Sequence, residues 1–230
     1  LRHISRNIVL DQHDIKTWYY LDSLNTGEPM AAKADGTSVR SPEWGFLKYD
    51  KCVSWNNRHK EFFKLHKQEI GEYIEVGCMW SEHIREMRNR PFLPSIASML
   101  SAAGYKPGMK LVTAFDTSFG LHTIADFKDG LTLLQDMAKL VHDFPEIVLM
   151  FKEKKDRKWL GFDTTSRFRG SSEGMEEMLR HLESVERFCF FGYDSNPSEI
   201  LAACDLAISY PFTSTTLEIL GAGGKGIYYD

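Results

Sequence analysis

From about Pro107 onward, short apolar runs alternate with helical stripes, and this alternation restricts the chain to an α/β architecture. Lys110 to Phe115 reads as a strand. Asp126 to His142 carries Leu131, Leu134, Met137, Ala138 and Val141 at helical spacing, and Ile147 to Phe151 is strand-like again. The pattern then repeats. Ser171 and Ser172 can cap a helix running through Met175, Met178, Leu179 and Leu182. Phe188 to Phe191 follows as a strand, Pro197 to Ala203 as a short helix and Leu206 to Ser209 as the next strand. These strands are continuously apolar rather than alternating, so both faces of the sheet must be covered. That predicts a doubly wound parallel, Rossmann-like sheet with ligand sites beyond the carboxyl ends of its strands.

The segments leaving those ends then matter. They begin Asp116-Thr117-Ser118, Lys152-Glu153-Lys154-Lys155, Gly192-Tyr193-Asp194 and Pro211-Phe212-Thr213-Ser214-Thr215-Thr216. In the last, Pro211 ends a strand and four hydroxyl residues precede the helical segment Leu217 to Leu220. The unpaired amides of a helix start, with hydroxyls beside them, suit a phosphate. Hydroxyls, ammonium groups and a helix start gathered at one rim suit a diphosphate, whose paired charge needs several donors and a cation to offset its desolvation.

Other motifs fail. Residues 221–226 match G-x-G-x-x-G by letter, but they follow a helix and lead into the strand-like Gly226 to Tyr229, the reverse of a dinucleotide fingerprint. Lys225 is followed by Gly226 rather than Ser or Thr, so the same residues are no P-loop. The four cysteines are far apart and contain no CxxC, which favours reduced, packed thiols. The eight histidines show no metal-ligand spacing and read as surface residues. A net charge of −4 gives no footprint for nucleic acid, and the one basic run, Lys152 to Lys158, reads as a solvated loop. No apolar stretch approaches a membrane span, so a soluble chain is expected. A start without Met and a final strand with no following helix make it read as a piece of a longer protein.

The first hundred residues are aromatic-rich, with Trp18, Tyr19, Tyr20, Trp44, Trp55 and Trp80. Asn57 to Ile70 reads as a helix and Glu72 to Gly77 as a partly exposed or edge strand. Pro91 and Pro94 break the next stretch. A connection is therefore expected within Ser81 to Pro107, with a short helix over Ser95 to Ala103. The organisation expected is a partial, smaller N-terminal lobe over residues 1–90, a connection over 91–106 and a Rossmann-like lobe over 107–230, truncated at its end.

The run Asp205-Leu-Ala-Ile-Ser-Tyr-Pro-Phe-Thr-Ser-Thr-Thr-Leu-Glu-Ile-Leu-Gly-Ala-Gly, with the later Gly-Ile-Tyr-Tyr-Asp230, resembles the donor-binding lobe of GT-B-type glycosyltransferases of bacterial surface-polysaccharide synthesis. Val53-Ser-Trp-Asn-Asn-Arg-His59 and Tyr73-Ile-Glu-Val-Gly-Cys-Met-Trp80 are similar to the stretch where such enzymes complete their first lobe. The resemblance covers Lys51 to Asp230 and is strongest from Cys204 onward.

It implies transfer of a sugar from a nucleotide-sugar donor to a glycan or lipid-linked acceptor. Ser214, Thr215 and Thr216, with Thr213, would hold the donor phosphate, and Glu218 would reach ribose or sugar hydroxyls. Lys152 and Lys154 would offset leaving-group charge, while Asp116 and Ser118 would close the site. The His-Pro pair of glycerophosphate-transferring relatives is replaced here by Lys152-Glu153, which speaks against that substrate class. No D-x-D pair is present, so neither a bridging metal nor a cofactor is expected. The base that deprotonates the acceptor belongs on the first lobe, where Asp11, His13, Asp14, Glu28, Asp35 and His59 are all available. The expected location is cytoplasmic, with peripheral contact at the inner membrane face. A nucleotide-sugar epimerase of the same shape and a non-catalytic α/β binding module are the alternative readings.

Overall fold

The computed structural model describes residues 2–21, 47–66, 68–117, 125, 127–154, 169–210 and 213–229. They form two compact units, Leu1–Met79 and Trp80–Asp230.

The first unit comprises α1 (Arg2–Gln12), β1 (Trp18–Tyr20), β2 (Lys48–Ser54), α2 (Asn57–Lys64) and β3 (Glu69–Glu75). Its strands are parallel in the order β1-β2-β3, with Tyr19 opposite Cys52 and Val53 opposite Ile74. Asn56 caps α2 by accepting from the His59 amide at 3.3 Å. His59, Phe62 and Phe63, at helical spacing, turn inward, and the two phenylalanines pack with Leu21, Leu47 and Cys52. The helix is shorter than the periodicity predicts. It ends at Lys64, and Ile70 joins β3 opposite Tyr49, because the Glu69 amide finds the Leu47 carbonyl at 2.8 Å and the Ile70 amide the Gln68 Oε1 at 2.7 Å. Ladder pairing outweighs local helical pattern there. β3 is largely exposed and lies at one end of the described sheet, as its alternation predicts.

The second unit begins with α3 (Ser81–Arg88) and α4 (Pro94–Ala102), followed by β4 (Lys110–Phe115), α5 (Phe127–Asp143) and β5 (Ile147–Lys152). Next come α6 (Arg169–Glu183), β6 (Phe188–Phe191), α7 (Pro197–Ala203), β7 (Leu206–Ser209), α8 (Ser214–Gly221) and β8 (Lys225–Tyr228). All five strands are parallel, in the order β6-β5-β4-β7-β8. The chain therefore steps outward from β4 through β5 to β6, then returns to lay β7 on the other flank of β4. This reversal is the topological switch point of a doubly wound sheet.

Strands β4 to β7 each feed two cores because neighbouring residues face opposite ways. Val112, Ala114, Leu149, Phe151 and Ile208 pack with Leu133, Leu134 and Met137 of α5 and Met175, Leu179 and Leu182 of α6. Leu111, Phe115, Val148, Met150, Phe191 and Ala207 pack with Ile84 of α3, Ile96 and Leu100 of α4, Ile200 of α7 and Ile219 of α8. The continuous hydrophobicity of the strands thus has the cause inferred from sequence. The stretch 91–106, expected as a connection, carries the whole of α4, whose Ile96 and Leu100 are part of the second core. Pro94 opens that helix, where its missing amide costs nothing.

The glycine-rich segment after α8 serves packing. A Cβ on Gly224 would lie 2.6 Å from Ile219 side-chain atoms, and one on Gly226 would lie 3.0 Å from Thr216 Cγ2. A side chain at Gly224 would force Ile219 to shift, and one at Gly226 would press on Thr216 and Ile219 of α8.

Candidate functional site

Phe115 pairs with Lys152 and with Ser209, Lys152 pairs with Phe191, and Ser209 pairs with Tyr228. The segments beginning at Asp116, Glu153, Gly192 and Tyr210 therefore leave the sheet at one rim. Asp116 and the chain leading to α8 flank the switch point itself.

The carboxyl of Asp116 is buried and held by backbone. Its Oδ1 accepts from the Thr117 amide at 2.7 Å and its Oδ2 from the Lys154 amide at 3.5 Å. Burial pushes this carboxyl up to about 7; the two amides oppose the rise and nearby Glu153 adds to it. Lys152, expected in a solvated loop, is instead the last residue of β5 and buried. The correction follows from β pairing, since its backbone continues the ladder and draws the side chain in. Its Nζ donates to the carbonyls of Glu153 at 2.5 Å and Tyr193 at 3.1 Å. Burial lowers its affinity for a proton, and Glu153, Asp194 and Asp116 counter that effect. The Lys154 side chain is exposed.

At the start of α8, Thr213 occupies the N-cap position but makes no capping bond; its hydroxyl donates to the Tyr210 carbonyl at 2.9 Å. Thr216 is turned away from the rim, its hydroxyl paired with Ser209 Oγ and with the Ile227 carbonyl at 3.3 Å. Thr215 Oγ1 is buried and has no hydrogen-bond partner among the described residues. Glu218, one turn along, is buried; burial raises its carboxyl's proton affinity and a hydrogen bond from Ser214 opposes the rise. Its carbonyl accepts from Ser81 Oγ at 3.1 Å.

Asp116, Lys152, Lys154 and the start of α8 thus share one rim of the sheet, whereas the Thr216 hydroxyl is committed to the strands. Ser118 lies outside the described residues. Two groups at the rim escaped the sequence reading. Glu153 reads as one more charge in a polar run, and Tyr193 fixes Lys152 through its carbonyl; only strand register reveals either.

In the first unit Asp11 and Asp14 are exposed, near Lys48 at 3.4 Å and Lys16 at 3.4 Å respectively. His13 is exposed, and Glu28 and Asp35 lie outside the described residues. His59, expected at the surface, is 1% exposed, stacks on Phe63 with ring centroids 6.4 Å apart, and neither ring nitrogen has a hydrogen-bond partner among the described residues. Burial holds its proton affinity down, to about 4. Its place at i−4 from Phe63 on the inner face of α2 explains the correction.

Among the described residues, no group of three or more His, Cys, Asp or Glu is placed to hold a metal ion, and no helix is long and apolar enough to cross a membrane. An open groove of about 770 Å³, lined in part by Met99, Met109, Pro145 and Phe188, lies at the opposite edge of the sheet, away from this rim.

A family model described as "Polysaccharide biosynthesis PFTS motif protein" matches residues 1–230. No curated protein matches the sequence. Among solved structures, Anabaena Alr3699/HepE in complex with UDP and glucose is similar at TM-score 0.54 and 14% identity, over 96% of this chain and 55% of that one. A UDP-forming trehalose-phosphate synthase from Burkholderia xenovorans is similar at TM-score 0.46 and 11% identity, over 78% of this chain and 46% of that one. The chain spans about half the length of these solved chains. The likeness to the first shows the fold, an α/β arrangement like a GT-B lobe.

Proposed function

The chain belongs to the polysaccharide biosynthesis PFTS motif family, and from that premise we propose that it is a glycosyltransferase that binds a nucleotide-sugar donor at the rim of its second unit. The acceptor is a surface glycan or a lipid-linked precursor, met at the cytoplasmic membrane face. The observation that carries this reading is the start of α8. A helix whose N-cap hydroxyl is spent elsewhere, and whose Thr215 hydroxyl is buried without a partner among the described residues, opens beside the switch point of a parallel sheet. Such a start offers unspent amides and the positive end of the helix dipole to a phosphate.

The donor's diphosphate would take the α8 amides with Ser214 and Thr215, and Glu218 would accept from ribose or sugar hydroxyls. Negative charge grows on the nucleotide as its bond to the sugar breaks, so donors fixed beforehand at that point stabilise the transition state more than the ground state. Lys152 and Lys154 supply full positive charge at the same rim. Thr216 has a different part, bracing α8 against β7 and β8.

A thermal-shift screen of uridine, cytidine, guanosine and thymidine diphosphates tests this. A ligand at a hundred times its dissociation constant stabilises by about 2.7 kcal/mol. One nucleotide is expected to shift the melt, and Ser214→Ala/Thr215→Ala to abolish the shift; unchanged binding in that double variant would contradict the assignment. Incubation with the matching nucleotide-sugar and an acceptor then separates transfer, which yields glycan and nucleotide, from epimerisation, which yields a free epimer.

A further inference from the structure

The rim also holds a feature that deepens this reading and rests on it. Phe115 lies opposite Lys152 in parallel strands, and the Asp116 amide continues the ladder by donating to the Lys152 carbonyl at 2.9 Å. The next residues on each strand, Asp116 and Glu153, therefore emerge side by side toward the same face. They are 8% and 4% exposed. Two adjacent carboxyls shielded from water cannot both ionise cheaply, so the pair retains a proton more firmly than either would alone.

Among the described residues, the charged groups around Asp116 are few. Lys152, Glu153 and Lys154 come from β5 and the chain after it, and Asp194 stands beyond on the segment after β6. On the other flank β7 delivers Tyr210, and Glu218 lies in the second turn of α8. Lys152 is the buried ammonium of this set, and its Nζ is already turned to two carbonyls. A diphosphate arriving beside ionised Asp116 would face like charge in a poorly solvated place. Taking up a proton removes that repulsion and turns an acceptor into a donor.

We infer that anion binding at this rim is coupled to protonation of the Asp116–Glu153 pair: a proton from solvent adds to the Asp116 carboxylate, whose O–H then faces the phosphate. No other bond changes.

Calorimetry of uridine diphosphate with the full chain, in two buffers of different ionisation enthalpy, reads the coupling. Uptake is expected to approach one proton per ligand near pH 8, with affinity falling about tenfold per pH unit above about 7, where the ligand itself is fully ionised. Asp116→Asn should remove both effects and bind more tightly than the parent near pH 8. Heats independent of buffer would overturn the inference, and so would uptake that persists in Asp116→Asn, since that proton would belong to a different group. If no nucleotide binds, the functional proposal fails separately. The pair is then tested on the empty protein by carboxyl-carbon NMR, where an Asp116 midpoint near 7 supports the inference and one near 4 overturns it. Glu153→Gln gives a second check, because Asp116 should then titrate lower.

Discussion

His59 makes the first unit sensitive to acid, and the size of the effect follows from its burial. The folded state keeps the imidazole neutral down to about pH 4, whereas the unfolded chain takes up a proton below about 6.5. Protons therefore favour the unfolded chain. The contribution of His59 to stability is whole above pH 6.5, declines as pH falls from 6.5 toward 4, and is fully lost below that. At 1.36 kcal/mol per unit, the loss is about 2 kcal/mol at pH 5 and about 3 kcal/mol at the acid limit. His59→Phe keeps a ring against Phe63 and cannot titrate. Hydrogen exchange of the Phe62 and Phe63 amides, which sit on the same helix, reports local opening of this unit. Moving from pH 7.5 to pH 5 should raise the opening equilibrium of the parent about thirtyfold relative to His59→Phe, with intrinsic exchange rates corrected for pH. Parallel behaviour of the two proteins, or an imidazole NMR midpoint near 6.5, would refute the argument.

The second unit should respond in the opposite direction. The Asp116 carboxyl ionises near 3.8 when unfolded but only near 7 when folded, so its contribution falls as pH rises through that window; urea melts of the parent against Asp116→Asn should diverge on the alkaline side. Thr216→Val removes the hydroxyl shared between Ser209 and the Ile227 carbonyl, and a loss of about 1–2 kcal/mol is expected in denaturant melts. Gly224→Ala drives a methyl to within 2.6 Å of Ile219, so a lower melting temperature corresponding to about 1–3 kcal/mol is expected; an unchanged one would mean that α8 shifts freely on β8.

The alternation of elements in the second unit is open to a sequence reading because strands β4 to β7 are buried on both faces and the helices on one. Phe188 to Phe191, Pro197 to Ala203 and Leu206 to Ser209 match the structure residue for residue, their limits set by Asn196, Cys204 and other local breaks. The first unit is less legible. Whether Ile70 is helical or extended depends on the bond from the Glu69 amide to the Leu47 carbonyl, twenty-two residues before Glu69 by their numbers. The charged rim shows the same division. Lys152 and Asp116 are recognisable from the loop positions they border, but the burial of Lys152 and the approach of Glu153 to Asp116 arise from register between strands, which no local pattern encodes. Thr216 resembles its hydroxyl neighbours until helix phase turns it toward Ser209.

On the function proposed here, the start of α8 receives the donor's phosphates. A structure of the chain with a bound nucleoside diphosphate tests it most directly. Phosphate oxygens within hydrogen-bond distance of the Thr215 and Thr216 amides and of Thr215 Oγ1, with Asp116 nearby, are the predicted result. A diphosphate lodged in the groove near Met109 and Phe188, at the far edge of the same sheet, would contradict the account.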